Sequence, residues 1–370
     1  MMRNILVDGL DVHNFGGIES YLCQVLPGLN DYFHFDLAVP GKPESSRYGR
    51  LTAPNINYVL IRRRRESVSG NIEDIEEILS NGNYDAVWLH RDSLSNIELL
   101  RRAKVHDVPS IIMQSHRSSL VSMSVLRVIA HYLHRDEAYE CATEHWACSR
   151  AAGKLFYGSK KYDVVNNCID VNSFRFSRDD RKRIRDEFRV TEHQRLIGTV
   201  GRLDPVKNQV ILIDILNEME KRGIDAKLLI VGSGPEEKRI KDRAESLRLQ
   251  EKVMLAGPRA DIPAVLSAMD AFVLPSKTEA LSIAALEAQA SGIAVVIPDR
   301  LKQAVPDLGR VYRYESDSME DCVDLLADLL TRCESKDRSI DLEEFGAYDC
   351  SSQVNVLRTR LGECIEGAMK

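Results

Sequence analysis

Two carboxylates in one short stretch have the spacing of a functional pair. TEALSIAALEAQASG (278–292) carries Glu279 and Glu287 with seven residues between them, among alanine, leucine and isoleucine. The preceding run, MDAFVLPS (269–276), is apolar and ends at Pro-Ser, as a buried parallel strand does. We therefore predict Glu279 in the loop at a strand's carboxyl end and Glu287 inside the next helix, which Gly292 ends. This placement predicts two separate tasks for the two acids.

The chemistry open to these acids is recognition of sugar hydroxyls. Glu287, inside the helix, could accept hydrogen bonds from both hydroxyls of a ribose. Glu279 could accept from other sugar hydroxyls or stabilise positive charge at an anomeric carbon. The alternative for both is a solvated face, because an acidic residue in an alanine-rich helix often has no other role.

Two cations lie in another short segment, GRLDPVKN (201–208). Arg202 can grip phosphate oxygens with two parallel hydrogen bonds, whereas Lys207 supplies a compact point charge. Together they could neutralise a diphosphate leaving group without a metal. Two solvated loop charges remain the alternative on this fragment alone.

The start of the helix after Glu279 is predicted to bind an anion. Ser282 is a plausible N-cap, and position 285 is alanine where a capping box would have Glu or Gln. The first-turn amides, with the helix dipole behind them, are then free for an anion. Small residues at 280, 284 and 285 would let a ligand approach the backbone, although they could equally serve tight helix–sheet packing.

The elements that must position these residues form an alternating pattern. Short apolar runs, each followed by an amphipathic stretch, predict parallel strands covered by helices on both faces. The predicted strands are 3–9, 34–39, 56–61, 85–90, 109–115 and 145–149, then 195–201, 226–232, 252–257, 270–275 and 293–298. Two such series predict an α/β protein with two Rossmann-like domains and a change near 166–174.

The architecture predicts where a ligand binds, because ligands of open α/β sheets lie beyond the carboxyl ends of the strands. Those ends concentrate basic, polar and glycine-rich residues. They are 11–20, 62–65, 90–92, 115–117, 201–208, 232–235, 257–261 and 276–282. A cleft between two such rims would suit a ligand that carries phosphates.

Composition excludes several classes of protein. The chain has 370 residues, 44% hydrophobic and 29% charged, and a net charge of −6, which argues against general nucleic-acid binding. Eight scattered cysteines without a CxxC pair predict reduced thiols. The first residues form a strand pattern and not a signal peptide, and no apolar run is long enough to span a membrane. No HExxH or DxD is present, so we expect a cytoplasmic protein without a metal or other cofactor.

Two further features have open readings. His131, His134 and His145 lie in 120–146, whose spacing predicts an amphipathic helix with structural or surface histidines. RRRR (62–65) is a solvated loop, or else it contacts a phosphate-bearing acceptor or an anionic membrane. Helix 120–135 could dock on the same lipid surface.

The motifs together resemble the family 4 retaining glycosyltransferases with the GT-B fold, and within it the bacterial capsular and exopolysaccharide members. The resemblance covers about residues 1–300, and each motif alone would be weak. The motifs are FGGIESYL (15–22), IIMQSH (111–116), 147–176, VGRLDPVKN (200–208), LLIVGSGPEEKRIK (228–241) and 252–292.

The resemblance implies parallel sheets that face each other across a cleft. It implies an acceptor-side domain at 1–168, a nucleotide-sugar domain at 169–345, and a C-terminal helix within 346–370 that crosses back to the first domain. The activity implied is transfer of a sugar, from a UDP-sugar, to a glycan or lipid-linked hydroxyl with retention. The alternatives are a nucleotide-sugar 2-epimerase of similar fold and a non-catalytic sugar-nucleotide-binding partner.

The resemblance also implies roles for individual residues. Arg202 and Lys207 fall on the donor diphosphate, Glu287 on the ribose and Glu279 on the donor sugar. The remaining implied positions are His116 beside the donor sugar, the glycine turn of Gly16 and Gly17, and Arg259 in the loop that holds the nucleotide's base. Four more residues are implied to bind the nucleotide-sugar donor: Ala280, Leu281, Ser282 and Ile283. Ala280 departs from the glycine of many members.

Overall fold

The protein, seen as a computed structural model, is described over residues 2–11, 16–41, 51–121, 123–332 and 338–368. The chain divides into two compact units. Unit 1 comprises Met1–Ile169 and Ala347–Lys370, and unit 2 comprises Asp170–Gly346. The chain therefore passes from unit 1 to unit 2 after Ile169 and returns after Gly346.

Unit 1 is built on a parallel sheet whose described strands have the order β3-β2-β1-β4-β5-β6-β7. The strands are β1 (Arg3–Asp8), β2 (Phe33–Val39), β3 (Ile56–Leu60), β4 (Ala86–Arg91), β5 (Ser110–Ser115), β6 (Glu144–Ala147) and β7 (Asp163–Val164). The described helices are α1 (Gly17–Leu29), α2 (Val68–Gly82), α3 (Glu98–Val105), α4 (Val125–Cys141) and α5 (Arg150–Tyr157). Helix α12 (Cys350–Ala368) returns to this unit and packs on α1.

Unit 2 repeats the plan with the strand order β10-β9-β8-β11-β12-β13. The strands are β8 (Arg195–Val200), β9 (Ala226–Val231), β10 (Val253–Gly257), β11 (Ala271–Val273), β12 (Ala294–Pro298) and β13 (Val311–Tyr314). The described helices are α6 (Arg178–Glu187), α7 (Ile211–Lys221), α8 (Glu237–Ser246), α9 (Ile262–Ala268), α10 (Ile283–Ala290) and α11 (Met319–Arg332). Short 3-10 turns lie at Val171–Phe174 and Asp299–Leu301.

Each unit has its own apolar core, which holds its strand ends in place. In unit 1, Trp88, Trp146 and Tyr21 are fully buried, and Leu357 and Leu361 of α12 join the same cluster. In unit 2 the core consists of the inner faces of the sheet and of α7, α8 and α11. Burial of aliphatic and aromatic side chains on this scale is the main stabilising contribution to each unit.

The predicted fold class, two Rossmann-like halves with parallel sheets, is confirmed, with corrections at single elements. The edge strands β7 and β13 are absent from the sequence prediction. The amphipathic pattern 120–146 is wrong at its end, because α4 ends at Cys141 and β6 follows. Ala142 adopts an extended conformation at the helix end, which turns the chain into that strand.

Candidate active site

The loop that carries Arg202 and Lys207 follows β8 and is shaped by an aspartate within it. Asp204 Oδ1 accepts from the amides of Val206 at 2.9 Å and Lys207 at 3.1 Å. Gln209 Nε2 also donates to the carbonyl of Arg202 at 2.9 Å. These bonds fix the backbone from which both predicted cations project.

Two glycines after β9 let its loop lie directly against the β8 loop. A Cβ at Gly232 would stand 2.0 Å from the Gly201 carbonyl oxygen, and one at Gly234 would stand 2.2 Å from that of Leu203. The Leu203 amide donates to the Ser233 carbonyl at 2.9 Å across this contact. The segment 232–235, predicted only as a glycine-rich strand end, is therefore needed to place the Arg202 loop.

Lys207 and Glu279, predicted separately, are in contact. Lys207 Nζ donates to both carboxylate oxygens of Glu279, at 2.7 and 2.9 Å, and Ser276 Oγ donates to one of them at 2.7 Å. The Glu279 side chain is 8% exposed and that of Lys207 is 30% exposed. The Lys277 amide donates to the Val206 carbonyl at 2.8 Å, so the β8 and β11 loops are also joined by backbone.

Arg202 is more exposed to solvent than Lys207 and is likewise paired with a carboxylate, that of Asp204. Its side chain is 60% exposed, and Nη2 lies 2.5 Å from Asp204 Oδ2. The two cations and their two carboxylate partners sum to zero formal charge. An anion that binds either cation here therefore competes with a carboxylate that is already bound to it.

The start of α10 follows the prediction in part. Ser282 is the N-cap, and its Oγ accepts from the Ala285 amide at 3.3 Å. The Ser282 amide itself donates to the Ala304 carbonyl at 3.1 Å. The prediction that all amides of 282–285 face an anion is therefore wrong for these two. Ile283 and Ala284 lie in the first turn, where an α-helix offers their amides no internal acceptor.

Glu287 lies on α10 four residues after Ile283 and three after Ala284, and hence on the same helix face. One turn, about 5.4 Å of helix, separates it from the first-turn amides. Glu287 as a whole residue is partly exposed, and its carboxyl group has no hydrogen-bond or ion-pair partner within the described ranges. Desolvation raises the pKa of Glu287 to about 8. An unpartnered, poorly hydrated carboxyl on this face is suited to accept from the hydroxyls of a ligand.

The other predicted donor-site residues of unit 2 have mixed placements. Ala280 and Leu281 lie in the loop between β11 and α10, beside Glu279. Arg259 follows β10, and its guanidinium is bound by Asp261 at 2.8 Å and by Glu187 at 2.5 Å. These carboxylates raise the pKa of Arg259. The side chain thus has two partners in its own unit, and its contact with a base remains a prediction.

His116 lies in unit 1 directly after β5. It is paired with His90, which the sequence indicates only as part of the strand end 90–92. His116 Nε2 lies 2.9 Å from His90 Nδ1, and the rings pack beside Tyr21. Desolvation lowers the pKa of His116 to about 3 and that of His90 well below its usual range. Both rings are neutral at pH 7, so His116 is suited to position a ligand and not to hold a positive charge there.

Gly16 and Gly17 begin α1, and residues 12–15 of their predicted loop lie outside the described residues. Gly16 has a φ of −136°, open to any residue, and its amide donates to Glu19 at 2.9 Å. A Cβ at Gly17 would meet no described atom within 4 Å. Packing in the described chain therefore does not require glycine at 17. That a ligand approaches the backbone at Gly17 stays a prediction.

The histidines of α4 and β6 are structural, as predicted. His131 Nδ1 accepts from the Leu94 amide at 3.1 Å, and His134 Nδ1 lies 2.7 Å from the Leu94 carbonyl. His145 stacks on Tyr139 with ring centroids 3.7 Å apart. No group of three or more His, Cys, Asp or Glu side chains within the described residues is arranged to hold a metal ion.

The comparisons with known proteins agree with this fold. Residues 180–338 match the family described as glycosyl transferases group 1. The chain is 27% identical to the putative glycosyltransferase EpsF of Bacillus subtilis over 70% of this chain and 69% of EpsF. It is 25% identical to UDP-Gal:alpha-D-GlcNAc-diphosphoundecaprenol alpha-1,3-galactosyltransferase of Escherichia coli, over 65% of this chain and 63% of that enzyme.

Among solved structures, Anabaena HepE in complex with UDP and glucose is similar to this chain. The TM-score is 0.80 at 18% identity, over 98% of this chain and 100% of that one, which is a likeness of fold. The fold and the matches define a glycosyltransferase of the GT-B class. Within that class, the match to the glycosyl transferases group 1 family is confined to residues 180–338, which lie in unit 2.

Proposed function

We propose that this glycosyltransferase moves a sugar from a UDP-sugar to a hydroxyl acceptor with retention of anomeric configuration, in the synthesis of a cell-surface polysaccharide. The observation that carries the proposal is the arrangement at the start of α10. The Lys207–Glu279 pair stands beside it, and Glu287 follows one turn later. We assign Lys207 to the phosphates of the donor, Glu279 to its sugar and Glu287 to its ribose.

Donor binding proceeds by exchange of partners. The diphosphate replaces Glu279 at Lys207 Nζ and Asp204 at Arg202, and the Ile283 and Ala284 amides donate to the same phosphate oxygens. Glu279, released from the lysine, then accepts from the donor sugar. Because the phosphate charge grows as the glycosidic bond breaks, these donors stabilise the transition state more than the bound donor.

The acceptor reacts on the face that the diphosphate leaves. The acceptor oxygen bonds to the anomeric carbon, the carbon–oxygen bond to the β-phosphate breaks, and the acceptor proton passes to the departing phosphate oxygen. Retention follows from attack on this same face. His116, neutral and held by His90, is proposed to line the sugar, and Gly16 and Gly17 to leave room for it. No metal or other cofactor is proposed.

Uridine is proposed as the donor's base on two comparisons. The HepE structures contain UDP or UDP-glucose, and the E. coli relative is named for UDP-Gal. A mycobacterial relative that is 32% identical over 35% of this chain is named for GDP-mannose, so guanine is the base against which the proposal has to be tested.

A thermal-shift screen tests the nucleotide first. UDP at a hundredfold excess over its dissociation constant should stabilise the protein by about 2.7 kcal/mol, and GDP and ADP should do so less. With the stabilising UDP-sugar and an acceptor, NMR of the product should show the donor's anomeric configuration. An inverted product would contradict retention, and stabilisation by GDP alone would contradict the uridine assignment. Epimerised donor formed without acceptor would favour the epimerase.

The acceptor is proposed to be lipid-linked and reached from an anionic membrane surface on the cytoplasmic side. The E. coli relative's name contains a diphosphoundecaprenol acceptor. The outer face of α4 exposes four large apolar residues of an i, i+3/i+4 row: Val125, Leu126, Ile129 and Leu133, at 50–79% exposure. Arg127, half exposed on the same helix, lies 3.9 Å from Asp92, so this surface is proposed to bind lipid chiefly through its apolar row. Within the described residues, no helix has the length and apolarity to cross a membrane.

The arginine run 62–65 contributes less to this surface than its sequence indicates. Arg62 is bound by Asp74 at 2.7 Å, Arg63 lies 3.2 Å from Asp11, and Arg64 lies 3.8 Å from Glu98. Three of the four charges are thus already balanced by carboxylates. A charge swap at 62–65 is expected to weaken membrane binding only slightly.

Vesicle flotation tests the α4 surface. Wild-type protein should float with vesicles of phosphatidylglycerol and phosphatidylcholine, and the double variant Leu126→Ser/Leu133→Ser should remain at the bottom, because the apolar area that enters the lipid is lost. Val105→Ser removes an equally exposed apolar side chain from α3 and should float like wild-type. Equal flotation of the α4 variant and the wild-type protein would exclude this surface.

A further inference from the structure

Cys168 and Cys350 are far apart in sequence and adjacent in space. Their Sγ atoms lie 3.1 Å from each other, with a sequence separation of 182 residues. Both belong to unit 1: Cys168 precedes the point where the chain leaves at Ile169, and Cys350 follows the point where it returns at Ala347. The pair therefore lies at the two places where unit 1 is joined to the intervening chain.

The backbone holds the two thiols in this position. The Ile169 amide donates to the Tyr348 carbonyl at 2.9 Å, and the Cys350 amide donates to the Ile169 carbonyl at 2.9 Å. Ile169 and Asp349 thus form a parallel bridge between the two segments. A disulfide has its sulfurs about 2.0 Å apart, so each sulfur has to move by roughly half an ångström to form one.

The two thiols differ in access. Cys168 is fully buried in the core of unit 1, whereas Cys350 is partly exposed and is the first residue of α12. Leu357, Leu361 and Ile365 of that helix are buried in the same core as Cys168. A reagent from solution therefore meets Cys350 first, and Cys168 is the internal thiol that follows.

We propose that Cys168 and Cys350 are an oxidisable pair whose disulfide fastens α12 to the body of unit 1. The oxidant is a low-molecular-weight disulfide of the glutathione class. The Cys350 thiolate attacks it, forms a mixed disulfide and releases one glutathione thiolate. The Cys168 thiolate then attacks Cys350 Sγ and releases the second. Two cysteine thiols are oxidised, one glutathione disulfide is reduced, and the two protons pass to the released thiolates.

The second step is expected to be the slower one. The contact with Cys350 and burial raise the pKa of Cys168, so its thiolate is scarce at neutral pH. The rate of closure should increase with pH for this reason. The bond would close a loop that contains all of unit 2, and a cross-link over so long a loop restricts the unfolded chain strongly.

The test uses the full chain, incubated with excess oxidised glutathione or with reductant, then alkylated and mapped by mass spectrometry. The expected result is a loss of two hydrogen atoms, a cross-linked peptide pair containing 168 and 350, and an unfolding midpoint several degrees higher than in the reduced protein. Cys350→Ser should lose both effects. Cys364→Ser, which removes another partly exposed thiol of α12, should keep both.

Three results would overturn the proposal. They are a stable glutathione adduct at Cys350 without the cross-link, a cross-link that leaves the unfolding midpoint unchanged, and a cross-link lost in Cys364→Ser. If Cys350→Ser fails to fold, Cys168→Ala replaces it, because a small apolar side chain fits the buried position. The peptide map does not involve a nucleotide or an acceptor, so its outcome is separate from that of the sugar-transfer proposal.

Discussion

Lys207→Ala is expected to lower kcat/KM for sugar transfer by about 10²–10³, the usual loss when one preorganised electrostatic donor is removed from the transition state. Lys207 Nζ is the cation held at 2.7 Å from Glu279, beside the start of α10. Its alanine variant leaves Arg202 and the first-turn amides to stabilise the leaving diphosphate alone. The measurement is steady-state transfer from the UDP-sugar identified by the thermal-shift screen.

Lys238→Ala is the matched control for that experiment. Lys238 is 84% exposed on α8 and lies 2.7 Å from Asp242, so its removal also breaks a lysine–carboxylate pair. We expect wild-type transfer and a nearly unchanged unfolding midpoint, since an exposed lysine–carboxylate pair contributes little to stability. If Lys207→Ala keeps full transfer while it folds normally, the lysine does not bind the diphosphate.

Lys207→Arg separates charge from shape at the same position. Arginine keeps the positive charge, but its planar fork does not reproduce a compact ammonium between Glu279 and a phosphate. We expect partial activity, between those of the alanine variant and the wild type. Activity as low as that of the alanine variant would mean that geometry at this position matters more than charge.

The sequence predicts the fold well because its signals are local. Apolar runs of five to seven residues define most strands, and the helix between Ser282 and Gly292 has both its cap and its glycine stop. The edge strand Val311–Tyr314 is missed because its middle residues, Tyr312 and Arg313, are exposed and polar in character. Short edge strands lack the continuous apolar run of buried ones.

The site is predictable residue by residue but not in its pairings. Lys207 and Glu279 are 72 residues apart, and His90 and His116 are 26 apart, so no sequence pattern indicates that they touch. Family resemblance places such residues on a ligand, whereas the structure shows which of them first bind one another. The exchange of partners proposed for donor binding depends on this second kind of information.

Asp270 is close to the predicted site in sequence but is not part of it in the structure. It is an acid at the start of β11, close to the predicted site in sequence, yet it is 4% exposed and lies at the opposite end of the strand from Glu279. Its carboxylate accepts from the Leu196 amide at 2.7 Å and pairs with Arg181 at 2.6 Å. Such a buried, fully bonded carboxylate stabilises the unit and is not available to a ligand.

Glu287→Gln is expected to affect stability and nucleotide binding in opposite directions. Desolvation raises the pKa of Glu287 from 4.5 to about 8, so the folded protein holds this proton more tightly than the unfolded chain. The free energy of unfolding of the wild-type protein therefore falls as pH rises from about 4.5 to about 8. Glutamine does not titrate, so the variant should be about as stable as wild-type at pH 5 and more stable at pH 8.

The expected gain at pH 8 is on the order of a few kcal/mol, since one pKa unit corresponds to about 1.4 kcal/mol. Urea unfolding of both proteins at pH 5 and pH 8 measures it. Glu245→Gln, at an exposed position of α8, is the control for the exchange of a glutamate for a glutamine. Equal stability of Glu287→Gln and wild-type at both pH values would mean that the carboxyl is well solvated.

UDP should bind more weakly to Glu287→Gln than to the wild-type protein, although the variant is the more stable of the two at pH 8. Two ribose hydroxyls that donate to Glu287 favour its ionised form, so UDP binding by the wild-type protein should release a proton near pH 7 and strengthen up to about pH 8. In Glu287→Gln both the proton release and the pH dependence from this group should disappear, with weaker binding. Calorimetry in buffers of different ionisation enthalpy measures the proton. A variant that gains stability but binds UDP as tightly as wild-type, with the same proton release, would place the ribose elsewhere and leave Glu287 as a destabilising acid without a ligand.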